Sequence, residues 1–160
     1  MKSISFLLFF LLAAKICLSQ NSKQVRVPMV KETHAVDSLI ETFKLFNRNN
    51  GFKNDSCFLL IVRANNNDAI LSVRFINQLE NSTIDLSVKN LFELGNFRYF
   101  MFKNNFVLVI GDNDPYNWFT RCTQTKLFTI NQIAPDQKYI SAYIYSYKNG
   151  KFKALGDLSR

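Results

Sequence analysis

Apolar residues recur along the chain first at helical spacing and then at strand spacing. The helical pattern follows Thr33, a residue suited to cap a helix, and comprises Val36, Leu39, Ile40, Phe43 and Phe46. It ends at residues 49–51, Asn-Asn-Gly, which favour the left-handed conformation that closes a helix. The spacing therefore predicts one helix near the N-terminus, with its apolar stripe lying on a sheet.

From Cys57 onward the apolar positions alternate with the period of strands. Residues 57–64 and 69–76 predict one hairpin, and Thr83–Val88 predicts a strand with one face covered. Residues 126–130 predict another strand. Residues 20–31 are polar with scattered valines, so they predict only a lead-in or a short edge strand.

The stretch from Phe97 to Ile110 predicts a hairpin that is apolar on both faces. Its two halves meet at Asn104-Asn105, and asparagine tolerates the positive φ that a two-residue hairpin turn requires. Pairing around this turn groups Phe100, Phe102, Val107 and Val109 on one face and Tyr99, Met101, Leu108 and Ile110 on the other. A hairpin of this kind belongs at the centre of a sheet covered on both sides.

The clearest local signal is Asn149-Gly150, which predicts a tight turn between two strands at the C-terminus. With that turn, Tyr147 faces Phe152 and Tyr145 faces Ala154. The elements together predict an α+β fold, in which one N-terminal helix packs on a curled, mainly antiparallel sheet of seven or eight strands.

The first residues have the order of a secretory signal peptide. A basic start at Lys2 is followed by an apolar run from Ile4 to Ala14 and by small or polar residues up to Ser19. The run is about half the length that a membrane-spanning helix needs. We therefore predict a signal peptide at residues 1–19, a single domain at residues 20–160, no transmembrane anchor after processing, and a secreted or periplasmic location.

Export changes the interpretation of Cys57 and Cys122, the two cysteines that remain after cleavage. An even number of cysteines in an oxidising compartment indicates a disulfide, so the two are predicted to pair. The alternative is two separate thiols that pack as small apolar side chains.

The net charge of +8 favours acidic partners. The chain has no run of four or more Lys or Arg and no nucleic-acid-binding motif, so a protein or a glycan is the expected partner and nucleic acid is not. His34 is the single histidine, and none of the five glycines is spaced for a phosphate loop. No catalytic residue, metal site or cofactor is predicted.

Two aromatic segments are candidate binding sites. The first is the loop of residues 111–119, where Asp112 and Asp114 lie beside Tyr116 and Trp118; a plain turn and a calcium site are the alternatives. The second is the stripe of Tyr143, Tyr145 and Tyr147, which either forms a platform for a ligand or packs in the core.

These features favour a non-enzymatic exported protein that binds a protein or glycan, mainly through the 111–119 loop. Two alternatives stay open. One is a small hydrolase or lyase that uses Asp112, Asp114 and Asp136, and the other is a structural component of the cell envelope.

Overall fold

The computed structural model describes residues 21–32, 34–49, 57–65, 68–76, 82–111, 117–133 and 142–157. These form helix α1 (His34–Asn49), a 3₁₀ turn (Leu91–Glu93) and nine strands. The strands are β1 (Asn21–Glu32), β2 (Cys57–Asn65), β3 (Asp68–Phe75), β4 (Thr83–Leu86), β5 (Asn96–Phe102), β6 (Asn105–Gly111), β7 (Phe119–Gln132), β8 (Ala142–Lys148) and β9 (Lys151–Asp157). The predicted α+β class is confirmed. The predicted signal peptide, residues 1–19, lies outside the described residues, and no described helix is long and apolar enough to cross a membrane.

The nine strands form one mixed sheet in the order β4-β7-β1-β5-β6-β2-β3-β8-β9. The pairs β4/β7, β1/β5 and β2/β6 are parallel, and the other neighbours are antiparallel. The prediction of a mainly antiparallel sheet of seven or eight strands is therefore wrong in detail. Parallel neighbours are joined by long connections and leave no turn signal in the sequence, which explains the difference.

The largest correction concerns β1, which is an internal strand and not a short edge. It pairs with β7 from Asn21 opposite Gln132 to Glu32 opposite Phe119, with an irregularity between Pro28 and Val30. Proline has no N–H for a ladder, so it occurs at such irregular positions. Alternation along β1 places Val30 in the core beneath α1, whereas Val27 faces the opposite core. Strand β7 likewise begins at Phe119, although the sequence predicted a strand only from Lys126.

The central hairpin is confirmed, but its turn is Lys103-Asn104, where φ is 44° and 67°. Asn105 is buried and is the first residue of β6, so it is not part of the turn. Its side-chain amide donates a hydrogen bond to the Lys103 carbonyl. Phe100 consequently pairs with Val107 and not with Val109. Because every partner moves by two residues, each side chain stays on its predicted face.

Two cores cover the two faces of the sheet. Under α1, the apolar helix residues Val36, Leu39, Ile40 and Phe43 pack on one face, as predicted. The side chain of Phe46, the fifth residue of the predicted stripe, lies outside what the structure describes. The opposite core joins residues of β2, β5 and β6 to residues of β1, β4 and β7, among them Val27, Ile84 and Phe128. The β4-β7-β1 end must therefore curl over the face that α1 leaves open, and the β5–β6 hairpin contributes to both cores.

Candidate functional site

A cleft lies between β1 and β5, where the two halves of the sheet meet. The two strands run parallel, but Met29 and Tyr99 are the sole register partners between them in the described part of the chain. A cavity of about 620 Å³ occupies this junction, and its lining residues come from β1, from the segment between Phe92 and Arg98 and from the start of β7. We call it the β1/β5 cleft.

The β1/β5 cleft is lined by cations and aromatic rings. The cations are Lys23, Arg26, Arg98 and Arg121, the rings are Phe92, Phe97 and Phe119, and no acidic side chain is among the described lining residues. Like charges collected in one concavity create a positive potential that attracts anions.

Two of these cations stack on rings of the cleft. The Lys23 ammonium lies 5.8 Å from the centroid of the Phe92 ring, and the Arg98 guanidinium lies 5.2 Å from that of Phe119. Cation–π contacts of this kind restrict the side chains that make them. The positive charge of the cleft is therefore held in place at both of its walls.

The predicted 111–119 loop ends at this cleft. Asn117 and Phe119 line it. Asp112, Asp114 and Tyr116 lie outside the described residues, and so do the residues on which the calcium alternative depends. Trp118 points away into the core beneath α1, where it is 2% exposed and packs against the rings of Tyr147 and Phe152, at centroid distances of 4.8 and 5.7 Å.

The tyrosine stripe lies on the same face as Trp118. Tyr145 is 3% exposed in the core beneath α1, and Tyr143, Tyr147 and Phe152 pack at its border. The predicted pairs Tyr147–Phe152 and Tyr145–Ala154 are confirmed. The structure thus brings Trp118 and the tyrosines together as packing residues; a ligand-binding role for them stays a prediction.

Tyr145 should make stability depend on pH in the alkaline range. Its hydroxyl is buried without a hydrogen-bond partner among the described residues, and burial, followed by the neighbouring Tyr143, raises the pKa of Tyr145 to about 12. The unfolded chain releases this proton near pH 10, so stability is intact below that pH and falls as the pH rises toward 12.

We expect the Tyr145→Phe variant to lack this fall. Between pH 9 and pH 11.5, the difference in free energy of unfolding between variant and wild type should shift by about 2 kcal/mol in favour of the variant. Urea unfolding at the two pH values measures it. Parallel pH dependence of the two proteins would contradict the burial of this hydroxyl.

Cys57 and Cys122 are both free and half-buried. They lie on β2 and β7, which β1, β5 and β6 separate in the sheet. The predicted disulfide is therefore not formed in this structure. Among the described residues, no group of three or more His, Cys, Asp or Glu side chains is placed to hold a metal ion.

The sequence did not point to the β1/β5 cleft. Its cations stand singly in three distant segments, and each resembles an ordinary solvent-facing residue of an alternating strand. The available signal was the absence of acidic residues from 21–31 and from 94–111. These two segments contain most of the residues that line the cleft.

No family model, curated protein or solved structure matches the chain. The function must therefore be inferred from the chemistry of the cleft itself.

Proposed function

We propose that this chain is an exported, non-enzymatic binding protein that holds an acidic ligand in the β1/β5 cleft. One observation supports the proposal above all: four cations line a cavity of about 620 Å³, and no carboxylate is among its described lining residues. A volume of this size is within the usual range for ligand sites. Guanidinium groups make strong, often bidentate hydrogen bonds to carboxylate and sulfate groups, so these are the expected chemical groups of the ligand.

The composition of the cleft favours binding over catalysis. Its described lining residues include no histidine, carboxylate, serine or cysteine, and Lys23, which belongs to a residue type that can act as a base or nucleophile, is exposed and lies over the Phe92 ring. The hydrolase or lyase alternative depends on Asp112, Asp114 and Asp136, which lie outside the described residues. That alternative, like the envelope-component alternative, stays a prediction with less support than binding.

Removing two cleft cations should weaken the binding of an acidic probe. Arg26 and Arg121 are both exposed, so Arg26→Gln with Arg121→Gln should leave the fold intact. We expect this double variant to raise the Kd for fluorescein-labelled octaglutamate about tenfold at 50 mM salt, because two charge-assisted contacts of about 0.7 kcal/mol each are lost. Fluorescence anisotropy measures the Kd.

The matched control removes the same charge at the other end of the sheet. Lys151 and Lys153 are exposed on β9, the last strand in the order, and the Lys151→Gln, Lys153→Gln variant should change the Kd less than twofold. Equal weakening by both double variants would show that the probe responds only to net charge, and the proposed site would then be wrong.

A further inference from the structure

Strand β1 presents an open edge to the β1/β5 cleft. One side of β1 is paired with β7 along the whole strand, but on the other side Met29 alone has a strand partner in the described part of the chain. Residues 23–26, which line the cleft, have no register partner in β5 among the described residues. An unpaired strand edge offers N–H and C=O groups at the spacing of a sheet ladder, which another extended chain can match.

The length of this edge suits a short peptide. Residues 23–26 of β1 line the cleft ahead of Pro28, which has no N–H to donate, and at about 3.3 Å per residue they extend over roughly 13 Å. A partner strand of about four residues would pair along that length. Addition of an extended peptide to a sheet edge is a recurring mode of recognition, in which main-chain hydrogen bonds supply affinity and side chains supply selectivity.

The cations of the cleft select for acidic side chains on both faces of such a strand. Lys23 shares the side of β1 that carries Val27, whereas Arg26 lies on the other side, because successive strand residues alternate. Consecutive acidic residues in an added strand would thus meet a cation on either face.

From this geometry we propose that the occupant of the β1/β5 cleft is an extended acidic peptide segment that adds to the open edge of β1 as a strand. This inference rests on the proposed function, namely that the cleft binds an acidic ligand. A polypeptide fits the edge better than an acidic glycan does, because only a peptide backbone repeats donors and acceptors at the spacing of the ladder.

The test changes the ligand and leaves the protein intact. Three probes are compared at pH 7 and 50 mM salt: octaglutamate, octaglutamate N-methylated at every residue, and a sulfated dextran oligomer of matched charge. Methylation removes the peptide N–H donors but keeps the side-chain charges, so we expect it to raise the Kd at least tenfold. Octaglutamate should also bind more tightly than the dextran, and its ¹³C-labelled carbonyls should show the infrared shift of strand pairing when bound.

The outcomes separate the two proposals. If methylated and unmethylated octaglutamate bind equally, and both are weakened by Arg26→Gln with Arg121→Gln, the cleft binds acidic ligands but the added strand is wrong. If sulfated dextran binds more tightly with the same dependence on Arg26 and Arg121, the ligand is an acidic glycan and the peptide is again wrong. If none of the three probes responds to those two substitutions more than to Lys151→Gln with Lys153→Gln, both proposals fail.

Discussion

Replacement of Phe128 by alanine should lower the free energy of unfolding by about 3–5 kcal/mol, the range for deleting a fully buried phenyl ring. Phe128 is 0% exposed, and its ring lies 5.8 Å from the ring of Tyr99 and 5.4 Å from that of Phe106. These contacts join β7 to the β5–β6 hairpin across the core opposite α1. Alanine at this position would leave a cavity at the place where the curled end of the sheet meets its centre.

The neighbouring residue supplies the control. Leu127 is 52% exposed and points away from that core, so Leu127→Ala should cost about 0.5 kcal/mol or less. Urea unfolding followed by circular dichroism measures both variants. Phe128 and Leu127 are adjacent, so they lie on opposite faces of β7. If both variants lost similar stability, both faces of β7 would be covered. The description of β7 as a strand with one covered face and one open face would then be wrong.

Replacement of Gly111 by alanine should be almost as damaging, with an expected loss of at least about 3 kcal/mol. Gly111 ends β6 and pairs with Val62 of the parallel strand β2. A Cβ placed on it would lie 2.1 Å from the carbonyl oxygen of Val62, a backbone atom that cannot move without disturbing β2, and its φ is +153°. Strain and steric overlap therefore act together at the strand end that leads into the 111–119 loop.

Gly150 allows the two causes to be separated. It also has a positive φ, +76°, but a Cβ there would meet no atom within 4 Å. Gly150→Ala should therefore cost about 1–2 kcal/mol, from backbone conformation alone. Urea unfolding of the two variants gives the comparison. If Gly111→Ala costs no more than Gly150→Ala, the close approach of β6 to β2 at Val62 is not as the structure describes it.

Local periodicity was sufficient to predict most elements and their buried faces. The stripe of α1, the β2–β3 hairpin and the alternation of Ile84, Leu86 and Val88 are all confirmed. Each depends on the angle between successive side chains, which is a property of the backbone and repeats along the sequence. The β5–β6 hairpin shows how robust this is, since its register was predicted wrongly and its faces were still right.

Pairing between distant segments was beyond this kind of prediction. The valines of β1 were too sparse to indicate an internal strand, and the start of β7 resembled the end of a polar loop. Both strands are stabilised by pairing with each other along their full lengths and by the core that Phe128 joins. Their strand character therefore comes from tertiary contacts and not from local propensity.

The candidate site also has one part that the sequence predicted and one part that it did not. The sequence predicted the 111–119 loop, and residues 117 and 119 at its end do line the β1/β5 cleft. It could not predict Lys23, Arg26, Arg98 and Arg121 as one group, because each looks like an isolated surface cation until the order β7-β1-β5 brings their strands together.

By itself, the sequence determined the α+β class, the helix, the Asn149-Gly150 turn and the faces of the apolar side chains in the helix and in the hairpins that it predicted. These follow from backbone geometry within a few residues. The tertiary structure alone decided the order of the strands, their parallel pairs and the cleft at the junction of β1 and β5. The physical reason is that the strand order depends on covering both faces of the whole sheet: α1 covers one face, the β4-β7-β1 end covers the other, and this order brings the lining residues of the cleft together.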